Sequence, residues 1–209
     1  MTTWLQQEWT LLTSKYSTDA GLVSRYWKEI KTYYTSKNRH YHSLTHIYEM
    51  LKQAETIKAD IVNYDSFRFA IWYHDIIYKA TKKNNELKSA EFAQKRLKSF
   101  DFDEKHLKKV EILIKSTQNH VNILGENKDN AYLLDIDLSI LGSAWNTYKT
   151  YIENIRKEYA IYPDFIYNSG RKKAMQHFLE RESIYLTDVY QKQFETQARE
   201  NIKREISLL

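Results

Sequence analysis

The chain has 209 residues, enough for one domain with a sizeable core, yet only four Gly, one Pro and no Cys. All-β folds need Gly and Pro for turns and α/β folds need Gly at tight strand–helix turns, so both are disfavoured. The missing thiols exclude disulfides, zinc fingers, iron–sulfur clusters and a thiol nucleophile. Lys and Arg outnumber Asp and Glu for a net charge of +5. That surplus is compatible with nucleic acid, an anionic membrane or a phosphorylated small molecule, but the basic residues are interleaved with acids, as at Lys82, Lys83, Glu86 and Lys88, in the manner of a solvated helix face.

Apolar residues recur at helical spacing nearly throughout, and the fold class expected is all-α. The spacing predicts helices over 3–15, 22–34, 43–58, 65–78, 84–100 and 103–119, then 129–141, 143–160, 163–182 and 187–207. Asp65, Asp103 and Asp129 precede apolar-periodic runs as caps should, and Pro163 suits the start of a helix. Gly125 and Gly142 fall where helices should stop. There is no linker-like stretch and no internal repeat, so a single all-helical domain over 1–209 is expected. No apolar run approaches the roughly 18 residues that span a bilayer. Residues 1–16 carry Trp, Gln and Glu where a signal peptide needs basic and then apolar residues, so a cytoplasmic protein with no membrane partner is expected.

Ionisable residues on apolar helix faces carry the chemical information, because an unpaired buried carboxylate costs several kcal/mol (of order 3–5) unless it finds a cation. His74 has Ala70, Ile71, Ile77 and Tyr78 on its face and points into the core. Asp75, ringed by Ile71, Trp72 and Tyr78, is at least half-buried. Asp137 has Leu133, Leu134, Ile140 and Leu141 around it, a more apolar ring than that of neighbouring Asp135. His46 begins a stripe through Met50, Ala54 and Ile57, whereas His177 shares its face with Lys173, Glu180 and Arg181 and reads as surface. One inward His is more often a hydrogen-bonded core residue than a ligand. An inward His, an inward His-Asp and an inward Asp on three separate helices make a different case: two imidazoles and two carboxylates suit a divalent cation and leave coordination positions open for chemistry.

His42 and His46 also stand four apart, as in zinc-protease helices, but Ser43 replaces the Glu that such a motif needs as general base. No Gly-x-Ser-x-Gly elbow, phosphate-binding Gly loop or dinucleotide fingerprint is present.

The order His46, His74-Asp75, Asp137 resembles the His…His-Asp…Asp signature of the HD-domain superfamily of metal-dependent phosphohydrolases. The likeness is greater to a branch of small bacterial HD phosphohydrolases, through residues 39–47 (RHYHSLTHI), 70–75 (AIWYHD) and 134–142 (LDIDLSILG). Shorter similar strings occur at 85–90, 155–159 and 198–201, so the resemblance covers about 25–205. It implies an all-helical fold holding a divalent metal between helices, with His46, His74, Asp75 and Asp137 as ligands. His42 and Asp135 are then outer partners or alternative ligands. Related two-metal enzymes use extra His residues between the His-Asp pair and the last Asp. Here His106 and His120 occupy that interval and only His120 is well placed, so one metal (Mn, Mg, Ni, Co or Fe) is expected.

The function expected is hydrolysis of a phosphate ester, possibly of a nucleotide, by a metal-activated water. Asp75, Glu86 and His120 are the candidates for orienting that water and moving protons, and Lys79, Arg156 and Arg171 for contacting phosphate. Two other readings stand beside it. The HD fold also hosts di-iron oxygenases, whose sites need about six ligands. A non-catalytic nucleotide- or RNA-binding module would fit the basic charge, although no RNA-recognition motif is readable and nucleic acid is not the expected partner.

Overall fold

The computed structural model describes residues 1–122 and 128–209. Among the described residues the chain is all-α, with ten α-helices, two 3-10 turns and no strand. The chain divides into two compact units, 1–133 and 134–209. None of the described helices is long and apolar enough to cross a membrane.

The first unit holds α1 (Thr2–Thr13), α2 (Ala20–Tyr34), α3 (Leu44–Thr56), α4 (Tyr64–Tyr73), α5 (Asn85–Leu97) and α6 (Glu104–Ser116), with a 3-10 turn at Lys58–Asp60. Several ends follow from local chemistry. The Asp19, Ser43, Asn63 and Asp103 side chains each accept a backbone N–H at the start of α2, α3, α4 and α6, which satisfies donors that a helix cannot pair internally. Asp65, expected to cap α4, instead sits in its first turn. There it accepts Lys15 Nζ at 2.9 Å and the Tyr16 hydroxyl at 2.8 Å.

α4 is the pivot of this unit and packs on α3, α5 and α6. From Ser66 to Tyr73 every residue is buried, and Phe67, Phe69, Ala70, Ile71, Trp72 and Tyr73 are wholly so. A helix buried on every side belongs in a core; each large apolar side chain it buries contributes about 1.5–3 kcal/mol, and its one charged residue in that stretch, Arg68, is paired with Glu8 at 2.6 Å. Trp9 of α1 closes over it, edge-to-face with Phe69, Trp72 and Tyr73 at centroid distances of 6.2, 5.7 and 6.0 Å.

The boundary between the units falls inside α7 (Asp129–Leu138). In the first unit, fully buried Asp129 accepts the Val62 and Asn63 amides at 2.8 and 3.1 Å and Lys109 Nζ at 2.7 Å. Gly125, expected as a helix stop, lies outside the described residues.

The second unit continues through a 3-10 turn at Ser139–Gly142 into α8 (Trp145–Glu158), α9 (Asp164–Glu180) and α10 (Asp188–Leu208). α10 packs along the 3-10 turn and α9, and Asn201 Nδ2 donates to the Leu141 and Ser143 carbonyls, both at 2.8 Å. Gly142 is required by that close approach: a Cβ there would lie 2.6 Å from Phe194 Cβ and 2.8 Å from its carbonyl oxygen. Since the obstacle includes backbone, Gly142→Ala should force α10 outward and cost about 1–3 kcal/mol in urea unfolding.

Candidate metal centre

α3 and α4 carry the site. His46 occupies the first turn of α3 on the buried face shared with Ile47, Met50 and Ala54, and is 6% exposed. α4 stops at Tyr73, short of the predicted residue 78, and His74 becomes its C-cap. His74 itself keeps helical backbone angles (φ −56°, ψ −38°), and its N–H still reaches the Ala70 carbonyl at 2.8 Å. His74 is 1% and Asp75 8% exposed.

Three ligand atoms meet in the first unit. His46 Nε2 lies 3.2 Å from His74 Nε2, which lies 3.1 Å from Asp75 Oδ2, and all three fall within 4.8 Å of one another. A cation with bonds of about 2.1 Å sets neighbouring ligand atoms about 3.0 Å apart at right angles and about 3.4 Å apart at tetrahedral angles, so this spacing fits one ion. The donor set, two imidazoles and a carboxylate, suits a borderline transition metal. His74 Nδ1 lies 2.9 Å from the Ile71 carbonyl. Since a carbonyl only accepts, Nδ1 carries the proton and Nε2 keeps its lone pair for the ion; this is how metal-binding imidazoles are usually oriented.

Around the trio, His42 is half-buried, with Nε2 3.8 Å from Asp75 Oδ2 and its ring stacked on Tyr78 at 4.1 Å. Tyr41 packs against His46 at 4.9 Å. Glu86, in the first turn of α5, is half-buried. Burial above all, and then the Asp75 carboxylate, push its carboxyl up, while its own backbone amide, His120 and His74 pull it down. Glu86 therefore shares the electrostatic surroundings of the trio. His120 follows α6 and adopts a left-handed backbone (φ 49°), uncommon for a residue other than Gly.

Asp137 belongs to the second unit, half-buried in the last turn of α7, whereas Asp135 is fully buried, the reverse of the burial order that their apolar rings suggest. The reason lies in distant sequence. Asp135 accepts the Leu186 and Thr187 amides at 2.7 and 2.8 Å and the Thr187 hydroxyl at 2.6 Å, so it anchors the chain entering α10. Arg156 donates to Asp164 and to the Tyr159 and Tyr162 carbonyls, and Arg171 to Glu205 and the Tyr151 hydroxyl, so both guanidinium groups serve internal partners. Lys79, Lys82 and Lys83 are exposed on the loop after the His-Asp pair. Sequence reasoning passed over the brace of that loop, Asn85, whose amide holds both the N–H and carbonyl of Lys79 at 3.0 and 3.1 Å. His106 sits beside its capping partner Asp103, and His177 is exposed.

Comparison of the chain with protein-family models, with curated proteins and with solved structures found no match.

Proposed function

We propose that the chain is a cytoplasmic metal-dependent phosphohydrolase of the HD type, cleaving a phosphate ester with a nucleotide as the first substrate to try. The observation that supports this reading best is the convergence of His46 Nε2, His74 Nε2 and Asp75 Oδ2, with the Ile71 carbonyl fixing the His74 tautomer. In this reading His46, His74 and Asp75 would hold the ion; Asp137, the fourth ligand that the resemblance implies, is tested by its own variant. A divalent cation held there polarises a phosphoryl oxygen and acidifies water at neutral pH.

The chain's own residues supply the rest. Asp75 has a carboxylate at the centre that accepts a hydrogen bond from the attacking water and orients it. Glu86, its carboxyl raised by burial and by Asp75, is suited to take up the proton that the water loses and pass it to the leaving oxygen, and His120 is a further candidate for moving protons. Lys79, Lys82 and Lys83 lie close in sequence to the ligand pair and attract an anionic substrate.

The test is a panel of phosphomonoesters, phosphodiesters and nucleotides, screened with Mn, Mg, Ni, Co and Fe in turn. Turnover dependent on one of these metals, abolished by a chelator and restored on re-addition, is expected. Two irons per chain with oxygen consumption would replace hydrolysis by oxidation. Tight, salt-sensitive RNA binding without turnover of any ester would leave a binding module.

A further inference from the structure

The first turn of α3 and the turn after α4 carry the donors of the centre, and one side chain fastens the loop that leads into α3 to the turn after α4. Arg39 is half-buried. Its Nη1 donates to the Asp75 carbonyl at 2.6 Å and to the His42 carbonyl at 3.0 Å, and its Nη2 donates to the Ile76 carbonyl at 2.8 Å. The guanidinium lies 4.9 Å from the Tyr34 ring centroid and 5.5 Å from that of Tyr78, the ring on which His42 stacks. Tyr34 adds a further tie, its hydroxyl donating to the Trp72 carbonyl at 3.1 Å.

Carbonyls at and just beyond the end of a helix lack intrahelical donors and carry partial negative charge, so a cation there is favourable. Arg39 fills that role for the turn that ends α4. The planar fork serves three carbonyls on two segments in fixed directions, whereas an ammonium, with three donors on a flexible stem, would bind as a point charge. The fork grips the backbone of Asp75 and leaves its carboxylate at the centre. By holding the His42 carbonyl as well, it fixes the approach to α3 and hence to His46.

We infer that Arg39 is a positioning residue: its guanidinium sets the spacing of the Asp75 and His46 donors and so determines how tightly the centre binds its ion. The inference rests on the metal reading of the trio. Partners of this outer kind typically contribute 10–100-fold in metal affinity.

The test uses the full-length chain and Co²⁺ alone, titrated by its visible absorption, with the thermal midpoint of each metal-free protein measured in parallel. Arg39→Lys keeps the charge but loses the fork, and Arg39→Met loses both. Arg96→Lys is the control, a comparable forked arginine of the same unit that grips Glu29 at 2.6 and 2.7 Å. Arg39→Lys should weaken Co²⁺ binding by about 10–100-fold while its metal-free midpoint falls no further than that of Arg96→Lys, whose Co²⁺ affinity should match the wild type. Unaltered affinity in Arg39→Lys would overturn the inference alone. An equal loss in Arg96→Lys, or unfolding of both Arg39 variants, would also overturn it by assigning Arg39 to general stability. A wild-type chain that takes up no Co²⁺, Mn²⁺ or Ni²⁺ would remove the metal reading and this inference with it.

Discussion

His74→Ala and Asp75→Asn should each leave a chain that retains no divalent cation through desalting and hydrolyses no phosphate ester. Each removes one of three atoms that meet within 4.8 Å, and loss of a direct ligand should exceed the roughly 100-fold upper range seen for outer partners. Asp75→Asn keeps the shape while removing the charge that the ion neutralises, so it separates ligation from packing. His74→Ala also deletes a 1% exposed ring, and far-UV circular dichroism must accompany the metal analysis. His177→Ala, on an exposed face, should match the wild type in both. Metal-to-protein ratios by mass spectrometry after loading with Mn²⁺ provide the measurement, and a stoichiometric ion in His74→Ala would sink the assignment. Asp137 is tested separately: full activity and metal retention in Asp137→Ala would remove it from the ligand set.

The largest stability effect is expected in the second unit. Glu205, 1% exposed at its side chain, receives Arg171 Nε at 2.7 Å and Nη2 at 3.2 Å, together with a short hydrogen bond from the Tyr148 hydroxyl. Burial, aided by the Glu205 charge, pushes the Tyr148 hydroxyl far up, so Tyr148 remains a donor. Glu205→Ala strands the Arg171 guanidinium in the interior, and breaking a buried pair from one side costs about 3–5 kcal/mol. Equilibrium urea unfolding should show a lower midpoint of that size. The double variant Glu205→Leu, Arg171→Met should recover most of the loss, because it leaves no unpaired charge. By contrast, Lys88→Ala, which opens the exposed pair with Glu91 (side chains 51% and 55% exposed), should cost no more than about 1 kcal/mol. If Glu205→Ala proves as mild, the pair does not hold the unit together.

What the sequence reveals and what it hides have physical reasons. Helical periodicity located the described helices because most of them bury one face, and Asp103 was recognisable as a cap because its partner amide is three residues on. The inward His46, His74 and Asp75 were legible in the same way, from the side chains one turn to either side. The end of α4 was not. Residues 74–78 keep a helical apolar pattern, and the groups that stop the helix there, Tyr34 and Arg39, come from far back in the chain. Asp135 was underrated for a similar reason: its partners at 186 and 187 are backbone amides, which carry no trace in composition. The loop braced by Asn85 is equally silent, since a side chain that binds backbone looks like any other Asn at the start of a helix.

The packing around α4 has an optical consequence. Trp9, Trp27 and Trp72 form one buried edge-to-face chain, with centroids 5.7 and 6.1 Å apart, and Trp72 stands two residues before His74. The second unit contains only Trp145, half-buried with the Arg204 guanidinium 3.8 Å from its ring centroid. Near-ultraviolet circular dichroism will therefore be dominated by coupled indoles that sense the neighbourhood of the centre, while red-shifted emission will come from Trp145 and half-buried Trp4. With Trp4 replaced by Phe, one cuvette should distinguish melting of residues 1–133 from melting of 134–209.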